Sequence, residues 1–243
     1  MPVFASKGEV HAIELITKDS YILIANLKYP EIKKKKYPLV VLLHSYGLSS
    51  AEWRELPLVL NNNGFAVLEI DFRGHGKSVY LSNSKQRSHI YLREDSLRQF
   101  PNDVYQKLRQ AYSTYGNLAG DELLFLGADV GANTAIFVAE ALEYKPIALV
   151  LITPQVDFKG LYTPIALAEA GEIPILGIIT KNDKHSRHQI SSLQKYAQGS
   201  FSLLNLPQGG PGMTCLAVNK GAVNKIVKWM VNQTPSLTTK SKT

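Results

Sequence analysis

Residues 123–136 read LLFLGADVGANTAI. An apolar run ends at Gly127, a glycine-framed turn holds Asp129, and apolar residues then recur at helical spacing. Strand, sharp turn and helix follow within fourteen residues, and glycine stands two positions before and two after the turn residue. Glycine tolerates backbone conformations and close approaches that a Cβ forbids, so Gly127 and Gly131 mark a tight strand-to-helix connection. The side chain displayed at its apex is a carboxylate.

The same alternation runs outward in both directions. EVHAIELIT (9–17) and YILIANLKY (21–29) are β-rich runs around the turn-like KDS, which predicts an opening antiparallel hairpin. YPLVVLLH (37–44) is a continuous apolar strand of the kind buried on both faces of a parallel sheet. SSAEWRELPLVLNNNG (49–64) reads as one helix with serine at its start and Asn-Gly at its stop. FAVLEIDF (65–72) is the next strand, and the later part of residues 96–116 has helical spacing. DELLFLG, IALVLIT, IPILGIIT and FSLLNLP continue the strands, with helices between most of them. About six strands after the hairpin, alternating with helices, predict an α/β fold with a mostly parallel sheet and helices on both faces. Residues 154–172 are too few for a helical cap domain, so one domain over 1–233 is expected, with a flexible basic tail at 234–243.

The 243 residues carry a formal charge of +7, much of it in KKKK at 33–36 and KSK near the C-terminus. These runs read as a solvated loop and a tail. No basic stripe interleaved with aromatics is present, so a nucleic-acid partner is not expected. Cys215 is the only cysteine, which excludes an internal disulfide. The first twenty residues lack the apolar core of a secretory signal, and no apolar run has the length of a transmembrane segment. A cytoplasmic location is expected.

Four stretches, in order, resemble the α/β-hydrolase superfamily, in particular its small lidless esterase and dienelactone-hydrolase-like members. LLHSYG (42–47) resembles the strand-end loop that supplies half of an oxyanion hole, with Ser45 where a glycine is usual. IDFRGHGKS (70–78) resembles the loop after the next strand. LGADVGAN (126–133) matches the nucleophile elbow, which ordinarily presents serine within Gly-x-Ser-x-Gly. IITKND (178–183) matches the strand end that carries the triad acid, Asp183. The resemblance implies an oxyanion hole from the N–H groups of Tyr46 and Val130, with His44 and Ser45 beside the pocket. In LNLPQGGPGMTCL (204–216), Pro211 stands where the family's histidine would be.

Proline has no titratable group and no N–H, so it cannot take a proton from a nucleophile or from water. Aspartate at the elbow is a working nucleophile in haloalkane dehalogenases and epoxide hydrolases, but the ester it forms needs a base to be cleared. In the other reading, Asp129 is an anion held by the helix N-terminus and the vacated oxyanion donors, and stabilises the fold. The expectation is therefore a non-catalytic pseudo-hydrolase that keeps its pocket for a small molecule or a protein. The alternative is a hydrolase using Asp129 with Asp183 and an unconventional base, for which His185 is the nearest substitute in sequence. His185 and His188, three apart, read as exposed helix-start histidines, not a metal pair. His44 and His75 read as structural, His11 and His89 show no constellation, and Cys215 reads as a packing residue. RGHGKS lacks the spacing of a phosphate-binding loop, so neither a nucleotide nor any other cofactor, nor a metal, is expected.

Overall fold

The computed structural model describes residues 8–238. Its strands are β1 (Val10–Ile16), β2 (Ile22–Lys28), β3 (Tyr37–Leu43), β4 (Ala66–Ile70), β5 (Leu118–Ala128), β6 (Ala148–Ile152), β7 (Asp157–Phe158), β8 (Leu161–Tyr162), β9 (Ile175–Thr180) and β10 (Phe201–Leu206). The helices are α1 (Leu56–Asn62), α2 (Glu94–Leu97), α3 (Phe100–Thr114), α4 (Val130–Ala141), α5 (Thr163–Glu169), α6 (Lys184–Leu193), α7 (Thr214–Val218), α8 (Ala222–Asn232) and α9 (Pro235–Thr238). Eight strands form one sheet in the order β1-β2-β4-β3-β5-β6-β9-β10. The β1–β2 hairpin is antiparallel and joins antiparallel to β4, while every other pairing is parallel.

All seven residues of β3 are buried, because helices cover both faces of the sheet. Side chains alternate across a strand, so Leu39, Val41 and Leu43 enter one core and Val40 and Leu42 the other. The first core packs against α3, α4 and α5 through Phe100, Val104, Ile136 and Leu167. The second packs against α1 and α8 through Leu60, Ile226 and Met230. Helix α4 is buried almost all round, from Val130 to Ile136 and again at Val138 and Ala139, which suits its apolar sequence.

Between β6 and β9 the chain forms only the small β7–β8 hairpin and α5, so no cap domain stands over the sheet. The expected helix at 49–64 is divided. A 3-10 turn over Ser50–Trp53 is separated from α1 by Arg54, whose φ of 48° breaks the helical path. The expected tail also begins differently. Pro235–Thr238 is a helical turn in which the Ser236 N–H donates to Glu122 Oε1 at 2.7 Å. The rest of the expected tail, 239–243, lies outside the described residues. Among the described residues no helix is long and apolar enough to cross a membrane.

Parallel strands put their carboxyl ends on one edge of the sheet, where α/β folds place their binding clefts. That edge gathers the loop after β3 (44–47), Asp71, Asp129, Thr153, Asp183 and the loop after β10 (207–213).

Candidate functional site

The elbow follows β5. Asp129 has φ 53° and ψ −119°, a strained conformation for a residue with a side chain. Backbone packing leaves no alternative. A Cβ on Gly127 would lie 2.3 Å from the carbonyl oxygen of Gly131, and one on Gly131 would lie 1.9 Å from that of Leu43. The Asp129 N–H donates to the Ile152 carbonyl at 3.0 Å, which ties the elbow to the end of β6.

The carboxylate of Asp129 points at the loop after β3. Its Oδ2 accepts the Tyr46 N–H at 3.2 Å and its Oδ1 accepts Nε2 of Gln155 at 2.9 Å. Burial raises its pKa above the usual aspartate value, against the opposing pull of the Tyr46 and Val130 N–H groups, Gln155 and the Lys159 charge. Stabilisation of the anion at this helix start was expected; the donors are there, but desolvation outweighs them.

The loop after β3 is pinned amide by amide. The Ser45 N–H donates to Glu52 Oε1 at 2.5 Å, the Tyr46 N–H to Asp129, and the Gly47 N–H to His75 Nε2 at 3.0 Å. His44 does not line the cavity, contrary to expectation. It is fully buried, its Nε2 accepts the Phe72 N–H at 3.0 Å, and its Nδ1 therefore donates to the Ser45 carbonyl at 2.8 Å. His75 is held likewise, with Nδ1 donating to the Arg73 carbonyl at 2.9 Å. A ring whose Nε2 already faces an N–H donor cannot take a second proton there. Burial accordingly pushes the pKa of His44 down to about 4 and that of His75 to about 3. Neither is a base at neutral pH.

Asp183 is the N-cap of α6, its Oδ1 accepting the Ser186 N–H at 2.9 Å and its Oδ2 accepting the Ser186 hydroxyl at 2.6 Å. Pro211 is exposed on the loop after β10, and the next residue, Gly212, donates its N–H to Thr153 Oγ1 at 2.8 Å. Ser45, Asp129, Gln155, Asp183, His185 and Pro211 line one cavity of about 600 Å³. Tyr46 and Val130 contribute backbone N–H groups, both directed at the Asp129 carboxylate. Among the described residues, which include all six histidines, no imidazole hydrogen bonds Asp129 or Asp183. His185 is exposed on the rim. Among the described residues no group of three or more His, Cys, Asp or Glu side chains is arranged to hold a metal ion. Cys215 is buried in the second core, and burial pushes its thiol up to about 12.

Two site residues escaped the sequence reading. Gln155 follows β6, and its backbone is fixed by Asn133 of α4, which accepts the Gln155 N–H at 2.9 Å and donates to its carbonyl at 3.0 Å. Its position just past a strand end was the only local signal. Glu52 has none, because it reaches Ser45 through the irregular 3-10 turn. Burial pushes its pKa up to about 7 against the opposing pull of the Ser45 N–H and hydroxyl, with Asp129 adding repulsion.

A carboxyl raised from 4.5 to about 7 binds its proton more tightly in the folded chain. Its contribution to stability is therefore greatest below about pH 4.5 and declines as pH rises towards 7. Glu52→Gln keeps an acceptor for Ser45 and removes this loss. The variant is expected to gain about 3 kcal/mol over the parent between pH 4.5 and 7.5 in paired urea titrations. A difference that stays flat with pH contradicts the assignment.

The comparisons agree with this architecture. The model of the family described as serine aminopeptidase, S33, matches residues 34–198. A dienelactone hydrolase from Anabaena variabilis superposes with a TM-score of 0.70 at 18% identity, covering 92% of this chain and 95% of its own. An esterase from Pyrococcus furiosus gives 0.69 at 15% identity, with 93% and 92% covered. Est1E from Butyrivibrio proteoclasticus, solved with ferulic acid bound, gives 0.65 at 17% identity, with 90% and 96% covered. No curated protein matches the chain. At these identities the structures establish the shared fold, and the family model establishes the kinship: the chain belongs to the serine aminopeptidase S33 family, with an α/β-hydrolase fold and no cap.

Proposed function

We propose that this chain is a non-catalytic member of its family that uses the cavity at the sheet edge to bind a small molecule. One observation carries the reading: the carboxylate of Asp129 itself takes the Tyr46 N–H, a donor that in a working hydrolase would await a developing oxyanion. With Val130 acting on the same group, the hole is filled from within. Asp183, in the position of the triad acid, is committed to capping α6 and orients no imidazole. Pro211 supplies no base. The lone, buried Cys215 is in keeping with a cytoplasmic protein.

The second reading, a hydrolase with Asp129 as nucleophile, draws support from the strained elbow, which keeps a non-glycine residue at φ 53°. It requires His185 to leave the rim and serve as base.

Hydrolysis of 4-nitrophenyl acetate separates the two. Without nucleophile and base, only binding and backbone donors remain to accelerate the reaction. The expected rate is indistinguishable from that of Asp129→Ala protein. An activity that survives purification and disappears in Asp129→Ala would overturn the proposal.

A further inference from the structure

Strand β1 stands at the edge of the sheet and pairs there only with β2. Two side chains of α3, three residues apart, reach across to its backbone. The Lys107 Nζ donates to the Ile13 carbonyl at 2.8 Å, and the Gln110 Nε2 donates to the next carbonyl, that of Glu14, at 2.8 Å. Gln110 also turns its Oε1 towards Lys107, 3.4 Å from Nζ. At the same place the Ile13 side chain enters the first core.

Lys107 is wholly buried, and both of its acceptors are neutral oxygens. A lysine is almost never fully buried unless a carboxylate pairs with it. Among the described residues none does. On α3, Asp103 lies one turn earlier and is held by Arg73. On β1, Glu14 is exposed, turned by strand alternation from the face that buries Ile13, and His11 pairs with Glu9 at 3.0 Å. β2 and α4 turn uncharged side chains to this core, such as Leu27 and Ala135. Burial raises the phenols of Tyr29 and Tyr112 still further from the neutral range.

An ammonium in this position lacks both water and a counter-charge, whereas the neutral amine fits it, with two N–H donors for two acceptor oxygens. Burial accordingly pushes the pKa of Lys107 down to about 7, against the opposing pull of Glu14. A base whose folded pKa is lowered supports the folded arrangement above its ordinary value of 10.5 and loses that support as pH falls towards 7. We infer that Lys107 makes β1 a pH-released strap: acidification charges the buried amine and detaches β1 from α3 while the central sheet stays closed. In the opened form the ammonium reaches water, and the Ile13 carbonyl loses its bond to α3.

Hydrogen exchange of the β1 amides tests this, each rate being corrected for its intrinsic pH dependence. Ile13 and Leu15, paired with Ala25 and Leu23 of β2, are the reporters. Their protection is expected to fall about fifteenfold from pH 8.5 to pH 7, the change that a folded pKa of about 7 produces against an unfolded value of 10.5. Phe125 and Leu126 of β5, in the middle of the sheet, should exchange more slowly at both pH values, since only global unfolding exposes them. Lys107→Met keeps the apolar stem without the charge, and should hold β1 protection constant within about twofold over this range. His11→Gln should retain the parent's pH dependence. If Lys107→Met fails to fold, the profiles of the parent and of His11→Gln still decide. A flat parent profile, an unchanged dependence in Lys107→Met, its loss in His11→Gln, or β1 amides that exchange no faster than those of β5 would each overturn the inference.

Discussion

Replacing Gly131 by alanine is expected to destabilise the protein by at least about 4 kcal/mol, a large part of the stability of a typical domain. The added Cβ would lie 1.9 Å from the carbonyl oxygen of Leu43, 2.5 Å from its carbon and 2.8 Å from the carbonyl oxygen of His44. All three are backbone atoms, so no side-chain rotation relieves the clash. Either α4 withdraws from β3 or the loop that carries Ser45 and Tyr46 moves. Either shift also breaks the bond from the Tyr46 N–H to Asp129. Gly120 is the control, because a Cβ there meets nothing within 4 Å and its alanine variant should stay within about 0.5 kcal/mol of the parent. A Gly131→Ala protein with the parent's urea midpoint would show that the elbow is looser than described.

Asp103→Ala carries the other large effect, about 3–5 kcal/mol. Arg73 is buried and its guanidinium forms a two-pronged pair with Asp103, Nε to Oδ2 at 2.6 Å and Nη2 to Oδ1 at 2.7 Å. Removing the carboxylate leaves a buried cation with the Tyr21 ring 4.9 Å away and one carboxylate partner, Asp19, which is 55% exposed and pairs with Nη1 at 2.6 Å. That exposed partner is worth little by itself, so Asp19→Ala should cost less than about 1 kcal/mol. Replacing the buried pair together, as Arg73→Met with Asp103→Leu, should recover most of the loss, since the penalty comes from the unpaired charge. Chemical denaturation of the three variants reads the ranking. Equal losses for Asp19→Ala and Asp103→Ala would contradict it.

The parts of the fold legible in the sequence were those set by local pattern. Continuous apolar runs such as YPLVVLL marked buried parallel strands, and β1 and β2 around Ser20, with its φ of 70°, formed the expected hairpin. The glycines of the elbow were readable because the contact that demands them lies next to a strand end. The helix break had one signal in the sequence: Pro57 lacks an N–H and starts a helix more readily than it continues one, and it stands in the first turn of α1. The break brings Glu52 under the Ser45 amide, seven residues back in the chain. Gln155 was not readable, because Asn133 fixes it from another element.

Asp183 is an instructive middle case. Its place at a strand end marks it as an acid by resemblance, yet the residues that follow, Lys184, His185 and Ser186, complete an N-cap that the chain satisfies locally. A carboxylate there can orient an imidazole or cap α6. The missing histidine at Pro211 leaves the cap as its role in the non-catalytic reading.

The central claim is that Asp129 fills its own oxyanion hole and no longer attacks a substrate. Intact-mass spectrometry after incubation with 1-bromobutane or styrene oxide addresses it most directly. An attacking carboxylate would form an ester that no base clears, and the ester would accumulate. The account predicts unmodified protein on the peptide containing Asp129. A stoichiometric adduct on that peptide, absent from Asp129→Asn, would contradict it.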